Sequence, residues 1–95
     1  MGETLGPTDF EPHVGSTFTI QTGSRDQFAV LASVERHAQP SSPRAEPFTL
    51  LFVGDVVLDQ RIHTLLHPEL GLLEIFLVPI GPDAEGKLRY EAIFN

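Results

Sequence analysis

The stretch LLEIFLVPIGPDAEGKLRYEAIF, residues 72–94, decides the fold class of this chain. Its first part, residues 72–80, is dense in Leu, Ile, Phe and Val, and residues 88–94 form a second short apolar segment. Residues 81–86 between them include two glycines, a proline and an aspartate, which are typical turn residues. Two apolar segments around such a turn predict two antiparallel strands joined as a hairpin.

The rest of the chain repeats this pattern of short apolar segments separated by turn residues. We predict further strands at residues 16–22, 28–36, 48–53 and 61–67. Residues 28–36 place Phe28, Val30, Ala32 and Val34 on one face, and residues 48–53 are apolar on both faces. Residues 37–47, which contain three prolines and no apolar periodicity, are predicted to be the longest surface loop. Six strands predict a single all-β domain over residues 1–95, a small antiparallel barrel or a sandwich.

A short helical turn is predicted near the start of the chain, because Thr8 and Glu11 have the spacing of a capping box. Pro12 limits its length. We expect Phe10, which lies in this turn, to close one open end of the β-structure.

Composition and charge exclude several classes of function. Thirteen acidic and six basic residues give a net charge of −7, so the average surface repels nucleic acid and anionic lipid. There is no cysteine, which excludes disulfides, thiolate metal sites and a cysteine nucleophile. No basic and apolar leader and no apolar run of about 18 residues is present, so we expect no membrane contact. We predict a chain that is cytoplasmic at synthesis and that can be exported by association with a partner.

No constellation of side chains marks an enzyme or a metal site. His63 and His67 have the spacing of a helical zinc pair, but on a strand they stand about 13 Å apart, so we interpret them as surface histidines flanking the strand. The acidic residues near the turns (Asp55, Asp59, Glu69 and Glu74) are interpreted as a solvated face. No serine lies in a nucleophile elbow, and no glycine-rich nucleotide loop is present. We predict no catalytic residue, no metal and no cofactor.

The aromatic and branched apolar residues are concentrated in the predicted strands, and two strands carry them on both faces. This exceeds what one small core needs and predicts burial against another protein or a second copy. The expected interface residues are Phe52, Val53, Phe76 and Val78. A small-ligand or carbohydrate site at a barrel mouth, using Tyr90 and His63, is the alternative. A hydrolase or isomerase is a third hypothesis and requires two carboxylates that converge in a cleft.

Three segments resemble a small uncharacterised bacterial domain family. They are HPELGLLEIFLVPIGPDAEGKLRYEAIFN at residues 67–95, DFEPHVGSTFTI at residues 9–20 and EPFTLLFVG at residues 46–54. Members of this family are stand-alone chains of similar length without an assigned catalytic residue. The genes of such proteins often lie near genes for phage-tail-collar-like fibre proteins. The resemblance therefore implies a non-enzymatic module that is accessory to the assembly or export of phage-tail-like fibres.

Overall fold

The computed structural model describes residues 5–37 and 47–94 of the chain. A four-residue helix and a 3-10 turn precede six strands. Their bounds are α1 Pro7–Phe10, the 3-10 turn Glu11–His13, β1 Thr17–Gln21, β2 Asp26–Arg36, β3 Phe48–Gly54, β4 Arg61–His67, β5 Gly71–Pro82 and β6 Leu88–Phe94. The predicted strands and the helical turn are therefore confirmed, with shifts of at most two residues at the ends of the strands. The predicted capping pair of Thr8 and Glu11 was wrong, because the carboxylate of Asp9 accepts from the N–H of Gly6 at 2.7 Å and caps the helix instead.

The six strands form a closed antiparallel barrel with the order β1-β2-β3-β6-β5-β4, in which β4 pairs again with β1. The closing register places Ile20 beside Leu65, and the β1–β2 register places Phe18 beside Ala29. Closure leaves every strand paired on both sides, which removes the exposed edges of an open sheet. Of the two predicted architectures, the barrel is the one the chain adopts.

The barrel interior is filled by side chains that alternate along the strands. Six strands enclose less space than the eight that leave just enough room for side chains, so the interior is a packed core. Large residues lie beside small ones: Phe18 is opposite Ala29 in the register, and the ring of Tyr90 lies so close to Gly54 that a Cβ there would meet it at 3.2 Å. The buried apolar residues are Phe10, Phe18, Ile20, Ala29, Leu31, Phe48, Leu50, Phe52, Leu58, Leu65, Ile75, Leu77, Tyr90 and Ala92.

One end of the barrel is closed by the N-terminal helix. Phe10 is fully buried there, and its ring centroid lies 6.0 Å from that of Phe48 and 6.2 Å from that of Phe94. The 3-10 turn after the helix is tied to β2 by Arg36, which donates from Nε and Nη2 to the two carboxylate oxygens of Glu11 at 2.8 and 3.0 Å. The expectation that Phe10 closes an open end is confirmed.

The predicted loop at residues 37–47 lies outside the described residues except at its two ends. There the N–H of His37 donates to the carbonyl of Pro47 at 3.0 Å, which continues the pairing of β2 with β3. In the described part of the chain, no helix has the length and hydropathy to cross a bilayer.

Candidate functional site

The outward side chains of β4 and β5 form an apolar surface, which we call the β4–β5 face. Its residues are Ile62, Thr64, Leu66, Leu72, Glu74, Phe76 and Val78. Direct cross-strand partners on this face are both apolar in two cases, Ile62 with Phe76 and Leu66 with Leu72. Ile62 is 63%, Leu72 61% and Phe76 47% exposed. The outer positions of a barrel in water are normally polar, so exposed apolar pairs of this kind are typical of an interaction site.

The β4–β5 face carries one charge. Glu74 is exposed and lies opposite Thr64, between the two apolar pairs. Neither lysine nor arginine is among the seven residues of the face. A surface docking here would therefore need to be apolar and to offer a cation near Glu74.

A second apolar surface, the β2–β3 face, is formed by Phe28, Val30 and Val53. Val30 and Val53 are direct cross-strand partners, and Phe28 is 58% exposed. These side chains line a depression of about 310 Å³. At its rim Lys87 donates from Nζ to Asp55 Oδ1 at 2.9 Å, and both side chains of this pair are exposed. The β2–β3 face is thus concave and has a salt bridge at its edge.

These two faces stand on opposite sides of the barrel. In a closed ring of six strands, each strand lies opposite the strand three positions further around the ring. By this strand order, β2 lies opposite β5 and β3 lies opposite β4. The two strands in between are largely polar outside. The outward residues of β1 are Thr17, Thr19 and Gln21. Those of β6 are Arg89, Glu91 and Ile93. The barrel therefore presents two separate apolar surfaces, directed away from each other.

The structure separates the four residues predicted to form an interface. Phe76 and Val78 lie on the β4–β5 face, and Val53 lies on the opposite β2–β3 face. Phe52 is fully buried inside the barrel, where its ring meets that of Phe18, so the prediction of an interface role was wrong for this residue. Its outward neighbour Val53 is the residue of this pair that a partner could reach.

Both residues of the predicted ligand site, Tyr90 and His63, hold the loop that covers the other barrel end. The hydroxyl of Tyr90 donates to the carbonyl of Val56, and burial raises the pKa of this hydroxyl. His63 Nε2 lies 2.7 Å from the carbonyl of Asp59, so this nitrogen carries the proton, and the buried Nδ1 has no hydrogen-bond partner among the described residues. Leu58, between the two attachment points, is buried. The barrel mouth is therefore closed by residues 55–60.

A shallow depression of about 230 Å³ remains outside this loop. Its polar lining comes from Thr22, Gln27, Asp59, Arg61 and His63. Tyr90 does not line this depression. The two residues of the predicted ligand site thus do not converge on one concave surface.

His63 and His67 were predicted as surface histidines, and this prediction was wrong for both. Each points into the barrel and is more than nine-tenths buried. The backbone N–H groups of Glu69 and Leu70 donate to Nδ1 of His67 at 3.0 and 3.2 Å, which ties the β4–β5 turn to this ring. These donors are backbone groups of the turn that follows His67, and the alternation of His63, Leu65 and His67 along β4 was the signal that could have indicated burial.

His67 also contacts a third histidine that the sequence left without a partner. Its ring centroid lies 4.5 Å from that of His13 and 4.6 Å from that of Phe18. His13 Nδ1 is 3.5 Å from Glu69 Oε1. Burial and the nearby His13 lower the pKa of His67, and Glu69 partly opposes them.

The acidic residues named from the sequence do not form a pair that could act as acid and base. Asp55 binds Lys87, Glu69 contacts His13, and Glu74 lies alone on the β4–β5 face. Among the described residues, no group of three His, Asp or Glu side chains has a geometry suited to a metal ion. The features of the site are therefore apolar outer faces and closed barrel ends.

Comparison with known proteins assigns the chain to a family but gives no function. No curated protein and no solved structure matches it. Residues 5–94 match the family model described as "Domain of unknown function (DUF6916)". This match covers almost the whole chain and includes all six strands. The chain therefore belongs to the DUF6916 family, a family of small domains without an assigned function.

Proposed function

We propose that this chain is a non-enzymatic protein-interaction and assembly module that docks through its β4–β5 face. The observation that carries the proposal is the cross-strand pair Ile62 and Phe76, two large apolar side chains exposed side by side on a closed barrel. Single exposed apolar residues are common, but an adjacent pair that continues along β5 into Val78 forms a patch. The pair Leu66 and Leu72 lies on the same face, beyond Thr64 and Glu74.

The physical basis of the proposal is the hydrophobic effect. Covering such a patch removes apolar area from water, at roughly 25 cal/mol for each Å². The strands beneath it are paired on both sides and their inner residues are fully packed, so the face is held in place before a partner arrives. A preformed face loses little conformational entropy on binding.

Two parts of the proposal rest on the family resemblance alone. They are the role as an accessory to phage-tail-like fibre proteins and the export of a cytoplasmic chain by association with such a partner. The ligand-binding alternative has less support, because Tyr90 and His63 both bond to loop carbonyls.

Site-specific photo-crosslinking in the source cells tests the docking face. A benzoylphenylalanine in place of Phe76 reports on the β4–β5 face. The same group in place of Val14 is the matched control, since Val14 follows the 3-10 turn outside both faces and is 47% exposed, as Phe76 is. We expect a protein adduct from position 76 and none from position 14. The adduct should disappear when Ile62→Thr is added, because this removes the apolar neighbour of position 76.

The proposal fails if neither position gives an adduct, or if both give the same adducts. It also fails if the adduct from position 76 is unaffected by Ile62→Thr. Mass spectrometry of the adduct then identifies the partner, and a fibre protein among the adducts would support the accessory role.

A further inference from the structure

We infer that residues 7–15, which we call the closing segment, are an acid-sensitive closure of the barrel that opens in mild acid while the six strands stay paired. Acid acts on this closure through a cluster of His13, His67 and Glu69 at the same barrel end. The inference does not depend on the proposed docking function, because it concerns the closed end of the barrel and not its outer faces.

The closing segment is held less firmly than the strands. Phe10 anchors it in the core, and the N–H of Gly15 donates to the carbonyl of Leu31 at 2.7 Å. The ion pair of Glu11 with Arg36 is exposed, and exposed pairs contribute little to stability. Each strand, in contrast, is paired with a strand on both sides. Detaching the closing segment therefore requires less free energy than unfolding the barrel.

His67 is neutral in the closed form. Its Nδ1 accepts hydrogen bonds from the backbone N–H groups of Glu69 and Leu70, so the proton of the neutral ring is on Nε2. A second proton, on Nδ1, would point at these two donors and would place a cation against the ring of His13, whose centroid is 4.5 Å away. Burial and His13 accordingly lower the pKa of His67.

Among the described residues, the titratable groups that face His67 come from two elements. The 3-10 turn contributes His13, and the β4–β5 turn contributes Glu69. The Glu69 carboxylate lies 3.5 Å from Nδ1 of His13 and partly opposes the lowering of the His67 pKa. β1 packs Phe18 against His67, and no residue of that strand is charged. The proton on His67 is therefore opposed chiefly by burial and by the closing segment's own histidine.

Opening allows His67 to take up a proton. When the closing segment leaves, the ring loses its contact with His13, meets water and can turn away from the two N–H donors, so it titrates near the ordinary pKa of about 6.5. Protons thus bind the open form more tightly and shift the equilibrium toward it. The ion pair does not supply this response, because Arg36 lowers the pKa of Glu11 and the carboxyl stays ionised in mild acid.

Opening uncovers apolar surface that borders the β4–β5 face. Phe10 covers the rings of Phe48 and Phe94 at the barrel end. Leu72 of the β4–β5 face lines one depression together with Phe10 and Phe94, so the covered end and the face are continuous. A partner of the β4–β5 face would thus meet a larger apolar surface in mild acid than at neutral pH.

Amide hydrogen exchange of the wild-type chain tests the closure. The amides of Gly15 and Ser16, which bond to Leu31 and His13, report on the closing segment, and the amides of β3 and β6 report on the barrel. Each rate is compared with that of an unstructured peptide at the same pH, which gives a protection factor free of the pH dependence of the exchange chemistry.

We expect the protection factors of Gly15 and Ser16 to be lower than those of the barrel amides, because the closing segment opens without the barrel. Between about pH 7.5 and about pH 5 they should fall by up to about 30-fold, the limit for a group with a pKa of about 6.5 in the open form and well below 5 in the closed form.

Two variants assign the response to the cluster. His67→Asn keeps an acceptor for the two backbone N–H groups but does not titrate, so it should lose the pH dependence of the closing segment. His37→Asn is the matched control, since it removes an exposed histidine outside the cluster and should keep that dependence. If circular dichroism shows that His67→Asn is unfolded, His13→Phe replaces it. This variant keeps a ring against His67 without a charge and should respond less to pH than the wild-type chain.

Three outcomes would overturn the inference. One is a wild-type chain in which the protection of Gly15 and Ser16 does not change with pH. Another is equal protection of these amides and the barrel amides at both pH values, because acid would then act on unfolding of the whole chain. The third is a pH dependence that survives unchanged in the folded histidine variant of the cluster, which would assign the response to another group.

Discussion

The imidazole of His13 stands edge to face against that of His67, with 4.5 Å between the ring centroids, at the barrel end closed by the N-terminal helix. His13 comes from the 3-10 turn after α1, and His67 is the last residue of β4. The contact therefore joins the segment that closes the barrel to the barrel wall. Nδ1 of His67 accepts hydrogen bonds from two backbone N–H groups, so this nitrogen does not carry a proton in the folded state.

This arrangement predicts that the folded state loses stability in mild acid. Burial lowers the folded-state pKa of His67 below the usual value of about 6.5, so the unfolded chain binds the proton more tightly. The stabilising contribution is therefore present above about pH 6.5 and is lost as the pH falls through the lowered pKa of the folded state. Urea unfolding at about pH 7.5 and about pH 5, on either side of the free histidine pKa, measures this loss.

The matched variant for this measurement is His67→Asn. Its side-chain oxygen can accept the same backbone N–H groups, but it does not titrate. We expect the free energy of unfolding of this variant to change less between the two pH values than that of the wild-type chain. An equal change in both proteins would contradict the role assigned to His67.

Phe10 is predicted to be the residue of the N-terminal segment that contributes most to stability. Its buried ring lies near those of Phe48 and Phe94, which stack on each other with centroids 4.5 Å apart. Phe10→Ala should lower the free energy of unfolding by about 3–5 kcal/mol, as for other buried Phe residues. Urea denaturation measures the loss. Val57→Ala, at an 83% exposed position, should change stability by no more than about 0.5 kcal/mol.

Tyr90→Phe should loosen the loop at the other barrel end. The substitution keeps the buried ring and removes the hydroxyl that donates to the carbonyl of Val56. Loss of one partner of a buried hydrogen bond reduces stability by about 1–3 kcal/mol. Amide hydrogen exchange should show faster exchange at residues 55–60 than in the wild-type chain. Unchanged exchange in this loop, together with unchanged stability, would show that the bond does not hold it.

The strands could be predicted from the sequence because their signals are local. Turn residues flank each apolar segment, and the predicted bounds of β4 and β6 coincide with those in the structure. The role of Phe10 could also be predicted, since a single large apolar residue in a short polar helix requires a place in the core.

Which residues face inward on β2 could not be predicted, because that depends on register. Phe28, Val30 and Val34 read as one face, yet Phe28 and Val30 point outward and Val34 is packed against the core. An irregularity in the pairing with β3 between Leu31 and Ser33 reverses the alternation. Inside the closed barrel, the space beside Phe18 is filled by the small side chain of Ala29 and not by that of Phe28. The space available depends on closure of the barrel, which a single strand's sequence does not show.

The candidate site could be predicted only in part for the same reason. The excess of apolar residues on β3 and β5 correctly indicates outer faces, as Val53, Phe76 and Val78 show. A strand with apolar residues on both faces does not reveal which of two neighbours points inward, so Phe52 was misplaced. The opposite position of the two faces follows from the strand order, which requires the long-range pairings of β3 with β6 and of β1 with β4.

The last prediction concerns the apolar pair that carries the proposed docking function. Ile62→Glu should reduce the photo-crosslink from position 76, because it places a carboxylate beside that position and removes its apolar neighbour. Val57→Glu is the control, since it also introduces a glutamate, at an 83% exposed position of the loop at residues 55–60 and outside the β4–β5 face. We expect a lower crosslink yield for Ile62→Glu than for Val57→Glu. Equal yields would mean that the pair Ile62 and Phe76 is not part of the docking contact.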